Sequence, residues 1–169
     1  MKIDTFCPAT DWNELRSEAK RAEAMGFDGV WSFEAGQDPF LPLLAAANAT
    51  ETLEIGTNVA VALARSPFAT AQVAWDMQKA SRGRLHLGLG TQVKAHIERR
   101  FNMPWSKPAS RMREMVLAIR AIWESWQSGG KLKFEGEFYQ HTLMSPVFAP
   151  QPNQYGAPPI FLAGVGPRM

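Results

Sequence analysis

Strand-like and helix-like segments alternate along this chain of 169 residues, and that alternation restricts its fold more than any other feature. Short apolar runs bounded by Gly, Pro or Asp predict five strands, and segments with apolar residues at helical spacing lie between them. A helix between two strands returns the chain to the same end of a sheet, so we expect parallel pairing. The predicted strands cover residues 2–7, 27–33, 53–59, 85–89 and 160–162.

Helix signals lie between these predicted strands. Asp11 with Glu14 forms a helix-start pattern, and Gly26 provides a natural end for the first helix. The alanine-rich stretch 41–49 predicts a second helix, and Ser66 followed by a proline predicts the start of a third. The faces expected to be buried comprise Trp12, Leu15, Ala19, Ala22 and Met25 in the first helix, Ala69, Val73, Met77 and Ala80 in the third, and Met112, Met115, Val116, Ile119, Ile122, Trp123 and Trp126 in the last.

Two segments interrupt the alternation. Residues 132–139 alternate around Gly136 and predict a β-hairpin, and residues 146–159 contain five prolines, which predicts an extended surface loop. A closed barrel of eight strands takes about 250 residues. We therefore expect residues 1–169 to be the N-terminal part of one α/β barrel domain, about its first five βα units, completed by a longer chain or by a second chain.

Charge and cysteine content exclude several classes of protein. The chain has 18 basic and 16 acidic side chains, a net charge of +2, which does not predict a nucleic-acid surface. Cys7 is the single cysteine, and the Cys and His residues lack zinc-ligand spacing, so neither a disulfide nor a metal site is expected. The sequence has neither a signal-peptide pattern nor a run of about 20 apolar residues. We expect a soluble, cytoplasmic protein without a membrane partner.

Ligand-binding residues are expected where the predicted parallel strands end, because their carboxyl ends share one rim. Glycine-rich turns there let backbone amides approach phosphate oxygens, although glycine also simply permits tight turns. Glu34 is the carboxylate expected at this rim, either to accept a proton or contact a cofactor ring, or as a solvated loop residue. The candidates after the third, fourth and fifth strands are Asn58, Val59, Ala60, Gly90, Thr91, Gln92, Ala163, Gly164, Val165 and Gly166.

Other polar residues have alternative interpretations. Arg65 precedes a helix start and could meet an anionic ligand, but a solvent-facing position is somewhat favoured. Asp38, followed by a proline, is typical of a turn. His86 lies among the leucines of the fourth strand and is interpreted as a structural histidine. Trp123 and Trp126 are expected in the core.

Three segments together resemble the F420-dependent oxidoreductases of the luciferase-like superfamily. They read AEAMGFDGVW, LEIGTNVAVALARSPFATAQVAWDMQKASRGRLHLGLGTQ and PPIFLAGVGPRM, and their order and spacing span nearly all of the chain. The resemblance implies a (β/α)8 TIM barrel with a hairpin insertion. It also implies a bulge after the third strand, often containing a non-proline cis peptide, which maps to Asn58-Val59 and backs the cofactor ring.

The same resemblance implies hydride transfer between coenzyme F420 and a small organic substrate, in an enzyme that is plausibly a homodimer. It places cofactor contacts at Glu34, at 58–60, at 90–92 and at 163–166. Sugar-phosphate dehydrogenase relatives have a histidine base where this chain has Ala35, and a glutamate in the region of 92–93, so alcohol oxidation by that mechanism is doubtful. The alternatives are an FMN-dependent monooxygenase and a nonenzymatic cofactor-binding module.

Overall fold

A computed structural model describes residues 1–6 and 11–164. Its framework is a parallel sheet covered by helices. The helices are α1 (Trp12–Ala24), α2 (Phe40–Ala49), α3 (Pro67–Ala80), α4 (Lys94–Arg99) and α5 (Pro108–Ser128), with a 3-10 helix at Ala62–Ala64. The strands are β1 (Asp4–Phe6), β2 (Gly29–Ser32), β3 (Glu54–Thr57), β4 (Ala60–Val61), β5 (Leu85–Gly90), β6 (Phe134–Glu135), β7 (Gln140–His141) and β8 (Ile160–Leu162).

The six-stranded sheet is parallel throughout, which confirms the expected α/β fold and is consistent with part of a (β/α) barrel. Strand β5 is its centre. The first half of β5 pairs with β3 through Leu85 and His86, whereas its second half pairs with β4 through Leu89 and Gly90. On its other side β5 pairs with β8, where Leu89 lies opposite Leu162.

The predicted third strand, 53–59, is too long, because β3 ends at Thr57 and a bulge follows at Asn58-Val59. A separate short strand, β4, begins only beyond the predicted range. Thr57 explains where the break falls. Its buried hydroxyl donates to the carbonyl oxygen of Gly88 at 2.7 Å and accepts from the Gly88 N–H at 2.9 Å. A side chain therefore supplies the link to β5 that backbone groups would otherwise make, and the chain bends before β4 begins.

The predicted helix ends are confirmed. Asp11 Oδ1 accepts from the backbone N–H groups of Asn13 and Glu14, and Ser66 Oγ accepts from that of Ala69. Helix α5 ends at Gly129, whose φ of 71° lies in the left-handed region that glycine adopts without steric cost. Local sequence thus determines where these helices start and stop.

Helices α3 and α5 pack together through tryptophans. The ring centroids of Trp75 and Trp126 are 5.7 Å apart, and those of Trp75 and Trp123 are 6.4 Å apart. The indole N–H of Trp123 donates to the carbonyl oxygen of Ala71 at 3.0 Å. The expected core position of Trp123 and Trp126 is confirmed.

Three predicted helix-face residues are exposed instead of buried, namely Trp12, Met25 and Ala69. Trp12 and Met25 lie at the two ends of α1, beyond the part that α2 and the sheet cover. Helix α3 contacts α2, α5 and β5, so its buried surface is wider than a single stripe and is rotated from the predicted one. It comprises Pro67, Thr70, Ala71, Ala74, Trp75, Met77 and Gln78.

The hairpin insertion is present but lies further along the chain than predicted. Its strands β6 and β7 flank a turn at 136–139, so the range 132–139 contained only the first strand and the turn. Glu114 of α5 anchors the turn, because its carboxylate accepts from the backbone N–H groups of Glu137, Phe138 and Tyr139. This distant anchor was not visible in the local pattern.

Two charged residues, Glu23 and Arg84, link chain segments at the amino ends of the strands. Glu23 of α1 accepts hydrogen bonds from the segment 51–53, including the backbone and hydroxyl of Thr52 at 2.6 and 2.9 Å. Arg84 donates to the carbonyl oxygens of Ala47 and Leu53. Burial raises the pKa of the Glu23 carboxyl, but the hydrogen bonds from 51–53 lower it more, so the net pKa lies below its ordinary value.

No helix in the described ranges 1–6 and 11–164 is long and apolar enough to span a bilayer.

We predict that Glu23→Gln lowers the free energy of unfolding by about 1 kcal/mol at pH 7, since hydrogen bonds to a charged acceptor weaken when the charge is lost. Because the folded pKa is lowered, the stabilisation from Glu23 is present above its unfolded pKa and is lost as pH falls through the folded one. Urea unfolding at pH 7 and pH 3 measures this. Glu124→Gln, at an exposed site on α5, is the control, and an equal loss in both variants contradicts the prediction.

Candidate cofactor site

A cavity of about 440 Å³ opens on the face of the sheet opposite the helices. It is bordered by β1, by the bulge after β3 and by the end of β8. Its volume is within the usual range for sites that bind small molecules and cofactors. The residues that contribute its walls include Phe6, Trp31, Asn58, Val59, Phe161 and Ala163.

The walls are largely aromatic and aliphatic. Trp31 and Phe161 meet edge to face with ring centroids 6.4 Å apart. Trp31 lies over Gly56, where a Cβ atom would overlap the indole ring. An apolar lining of this kind suits a ring-bearing ligand and excludes water from it.

The bulge presents backbone atoms to the cavity. The peptide bond between Asn58 and Val59 is cis, as the resemblance implied for this position. The N–H of Asn58 donates to the carbonyl oxygen of Ser32 at 2.6 Å, and the N–H of Glu34 donates to that of Val59 at 3.2 Å. The end of β2 therefore holds the bulge from one side.

Glycines bring β5 close to the bulge. A Cβ atom at Gly88 would overlap the carbonyl oxygen of Thr57, and one at Gly90 would lie 2.6 Å from a methyl group of Val59. These glycines permit close approach of neighbouring backbone and side chains within the protein. This packing role differs from both interpretations of the glycine-rich turns, ligand approach and tight turning, and it is compatible with a ligand above Val59.

Glu34 is buried and paired. Both of its carboxylate oxygens lie 2.8 Å from one guanidinium nitrogen of Arg65, and Oε2 also accepts from the Val61 N–H at 2.7 Å. Its side chain is 8% exposed, so the solvated-carboxylate alternative is wrong. Arg65 is 20% exposed and donates to Asp38 at 2.9 Å, so the favoured solvent-facing interpretation of Arg65 is also wrong.

Asp38 performs the predicted turn role as well as pairing with Arg65. Its Oδ1 atom accepts from the backbone N–H groups of Phe40 and Leu41 at the start of α2. Sequence spacing alone could not show that Glu34, Asp38 and Arg65 form one cluster, because they lie on two separate loops.

The structure brings some predicted site residues together and leaves others apart. Asn58, Val59 and Ala163 line the cavity, and Gly90 lies directly behind Val59. Ala60 is buried in β4. Thr91, Gln92 and Gly164 continue from the same rim but are outside the lining, and Val165 and Gly166 lie outside the described residues.

The side chains of Thr91 and Gln92 are engaged locally. The Thr91 hydroxyl donates to the carbonyl oxygen of Gln92 at 3.1 Å, and Gln92 Oε1 accepts from the N–H of Val93 at 3.0 Å. Gln92 has a φ of 61°, in the left-handed region. This turn therefore offers backbone rather than free side chains to a ligand.

Sequence reasoning missed several residues that border the cavity, above all Trp31, Phe161 and Thr57. Strand alternation was the signal that could have identified such residues. It places Trp31 and Glu54 on the same face of adjacent strands, the face that carries the cavity. His86 lies there too, with Nε2 3.2 Å from Glu54 Oε2 and its ring beside Trp31 and Phe161. The interpretation of His86 as a structural histidine stays a prediction.

No cluster of three or more metal-ligating side chains occurs in the part of the chain that the structure describes.

The chain belongs to the luciferase-like monooxygenase family, whose sequence profile matches residues 1–169. It is 55% identical over 172 residues to an uncharacterized protein of Mycobacterium tuberculosis, covering 100% of this chain and 49% of that relative. It is 32% identical to the 5,10-methylenetetrahydromethanopterin reductase of Archaeoglobus fulgidus, covering 97% of this chain and 47% of the reductase. The chain thus spans about half the length of these relatives.

Solved structures of the family share the fold. The coenzyme F420-dependent tetrahydromethanopterin reductase of Methanopyrus kandleri matches with a TM-score of 0.76 and 20% identity, over 99% of this chain and 50% of that one. The FMN-bound oxygenating component of 3,6-diketocamphane monooxygenase from Pseudomonas putida matches with a TM-score of 0.77 and 16% identity, over 96% of this chain and 51% of that one. The neighbours include both F420 and FMN enzymes, and they confirm the luciferase-like TIM-barrel fold.

We predict that Gly88→Ala destabilises the protein by about 1–3 kcal/mol, because the added methyl group must displace Thr57 and the bulge that follows it. Gly36→Ala is the control, since a Cβ atom there meets nothing within 4 Å, and its change should stay below about 1 kcal/mol. Urea unfolding of both variants measures the difference. Equal stabilities would show that β5 and the bulge are not tightly packed.

Proposed function

We propose that this chain forms the N-terminal part of a barrel oxidoreductase that transfers a hydride between coenzyme F420 and a small organic substrate. The observation that carries the proposal is the apolar cavity whose lining includes Asn58 and Val59 of the bulge together with Trp31. The 32% identity to a methylenetetrahydromethanopterin reductase supports a reductive rather than an oxygenating reaction.

The residues present fit a ring-bearing cofactor. The cavity has flat aromatic walls, and Gly90 leaves Val59 free to lie at the surface where a ring would rest. The turns 90–92 and 163–166 would take the phosphate and tail, because backbone N–H groups at glycine-rich turns hold anions. These assignments rest on the position of the turns at the rim that carries the cavity.

Under this proposal, most of the enzyme's task is to orient the cofactor ring. F420 would supply the hydride, as redox cofactors generally supply the chemistry that amino acids lack. Val59 would support one face of the ring, and Trp31 with Phe161 would keep water from the reacting atoms. A direct part of Glu34 in catalysis stays a prediction.

The second candidate is an FMN-dependent monooxygenase. The FMN-bound neighbour with a TM-score of 0.77 favours it, since a phosphate and a tricyclic ring would occupy the same cavity. A nonenzymatic cofactor-binding module is the third alternative. A homodimer and a cytoplasmic location also stay predictions.

We predict that the complete natural protein binds F420 at least tenfold more tightly than FMN, and that Gly90→Val weakens F420 binding about tenfold by pushing Val59 into the cavity. Fluorescence titration measures both dissociation constants, and stopped-flow reduction of the bound cofactor measures turnover. Gly36→Val is the control, because a Cβ atom at Gly36 would meet nothing within 4 Å.

Tighter binding of FMN would overturn the choice of F420. Tight F420 binding without hydride transfer to any of a panel of alkenes, imines and ketones would favour the nonenzymatic module.

A further inference from the structure

Two carboxylates and one guanidinium form a charged cluster beside the cavity. Arg65 lies between Glu34 and Asp38, with nitrogen–oxygen distances of 2.8 and 2.9 Å. Its guanidinium carbon also lies 5.7 Å from the ring centroid of Phe40. We call Glu34, Asp38 and Arg65 the carboxylate clasp.

The clasp joins three parts of the rim. Glu34 follows β2, Asp38 caps the start of α2, and Arg65 precedes α3. Charge-assisted hydrogen bonds to a planar guanidinium fix both distance and direction. The clasp therefore fixes the loop after β2 against the loop after β4.

Glu34 is also hydrogen-bonded directly to the bulge and to the residue that follows Ala60. Its backbone N–H donates to the carbonyl oxygen of Val59, and its Oε2 atom accepts from the N–H of Val61. One residue thus contacts the backbone on both sides of Ala60. Val59, whose side chain and backbone line the cavity, has little freedom while these bonds persist.

The partners of Glu34 argue against its use as a proton acceptor. Oε1 is bonded to Arg65, and Oε2 is bonded to both Arg65 and the Val61 N–H. A general base needs an oxygen within hydrogen-bond reach of the proton that it abstracts, and both oxygens of Glu34 are already engaged within the protein. Glu34 is also absent from the lining of the cavity.

We propose that Glu34 and Arg65 are positioning residues, which hold the bulge at 58–61 in the shape that receives the cofactor ring, and that Glu34 does not exchange a proton with the substrate. This inference rests on the proposed function, because it assigns the cavity to a ring-bearing cofactor. Arg65 is not among the residues that line the cavity, and it acts through Glu34.

The first test measures how well the backbone of the bulge is protected from hydrogen exchange when no cofactor is bound. Hydrogen exchange of the complete natural protein should show faster exchange of the Val61 amide by at least tenfold in Arg65→Ala, a variant that leaves Glu34 itself in place. Arg65→Lys should recover part of the protection, because it keeps the charge but not the planar fork. Unchanged exchange in Arg65→Ala would overturn the proposal.

The second test measures cofactor binding and turnover in Glu34→Gln. This variant keeps the side-chain volume and an acceptor for Val61 but loses the charge that binds Arg65. We expect the F420 dissociation constant to rise about tenfold, with kcat at saturating cofactor changed less than about threefold and with an unaltered pH profile of kcat. Glu34→Gln combined with Arg65→Ala should weaken binding no more than the stronger single variant, because both remove the same clasp.

Glu51→Gln is the matched control. Glu51 also pairs with an arginine, Arg82, but both side chains are exposed and lie in loops at the amino ends of the strands. Its effect on the F420 dissociation constant should stay within twofold.

The outcomes separate the two proposals. A loss of kcat of about 100-fold or more in Glu34→Gln at saturating cofactor, with loss of one limb of the pH profile, would show proton transfer and overturn the inference. If the wild-type protein binds neither F420 nor FMN, the proposed function fails. Faster exchange at Val61 in Arg65→Ala would still support the clasp, and unchanged exchange would reject it.

Discussion

The side-chain hydroxyl of Thr57 is hydrogen-bonded to both backbone groups of Gly88. The positions of the strands and loops at this rim depend on that contact. It ends the pairing of β3 with β5 and lets β4 take over the pairing at Ala60, three residues after Thr57. Only glycine fits at 88, because a Cβ atom there would overlap the Thr57 carbonyl. A bulge that redirects a strand in this way aims backbone groups at one side of a sheet, and here that side carries the cavity.

The bulge and the carboxylate clasp have different roles in the structure of the site. The bulge supplies the backbone surface that faces the cavity, and the clasp fixes it to the loop after β2. Ionic groups with reduced access to water are retained where geometry matters, because losing one partner leaves the other uncompensated. The structural neighbours include an F420-dependent and an FMN-bound enzyme. Under the proposed function, this arrangement would orient the bound cofactor and leave the redox chemistry to it.

Much of the fold could be predicted because its signals are local. The caps at Asp11 and Ser66 and the glycine at 129 lie next to the helix ends that they determine. The site could be predicted only in part. Asn58, Val59 and Ala163 follow strand ends and were found, whereas Trp31 and Phe161 lie within β2 and β8, which a search of strand ends does not cover. Arg65 was interpreted as favouring solvent because its partners lie 27 and 31 residues away in the chain.

The sequence by itself determined the parallel α/β order, the positions of most helices and strands, and the rim at which functional residues gather. These properties follow from periodicity, capping and chain direction, which act over a few neighbouring residues. Only the tertiary structure decided that the hydroxyl of Thr57 bonds to Gly88 where the third strand ends, that the hairpin is anchored by Glu114, and that Glu34 is bound to Arg65. Each of these depends on a side chain meeting a partner from a distant segment, and the energy of such a contact exists only after the chain has folded.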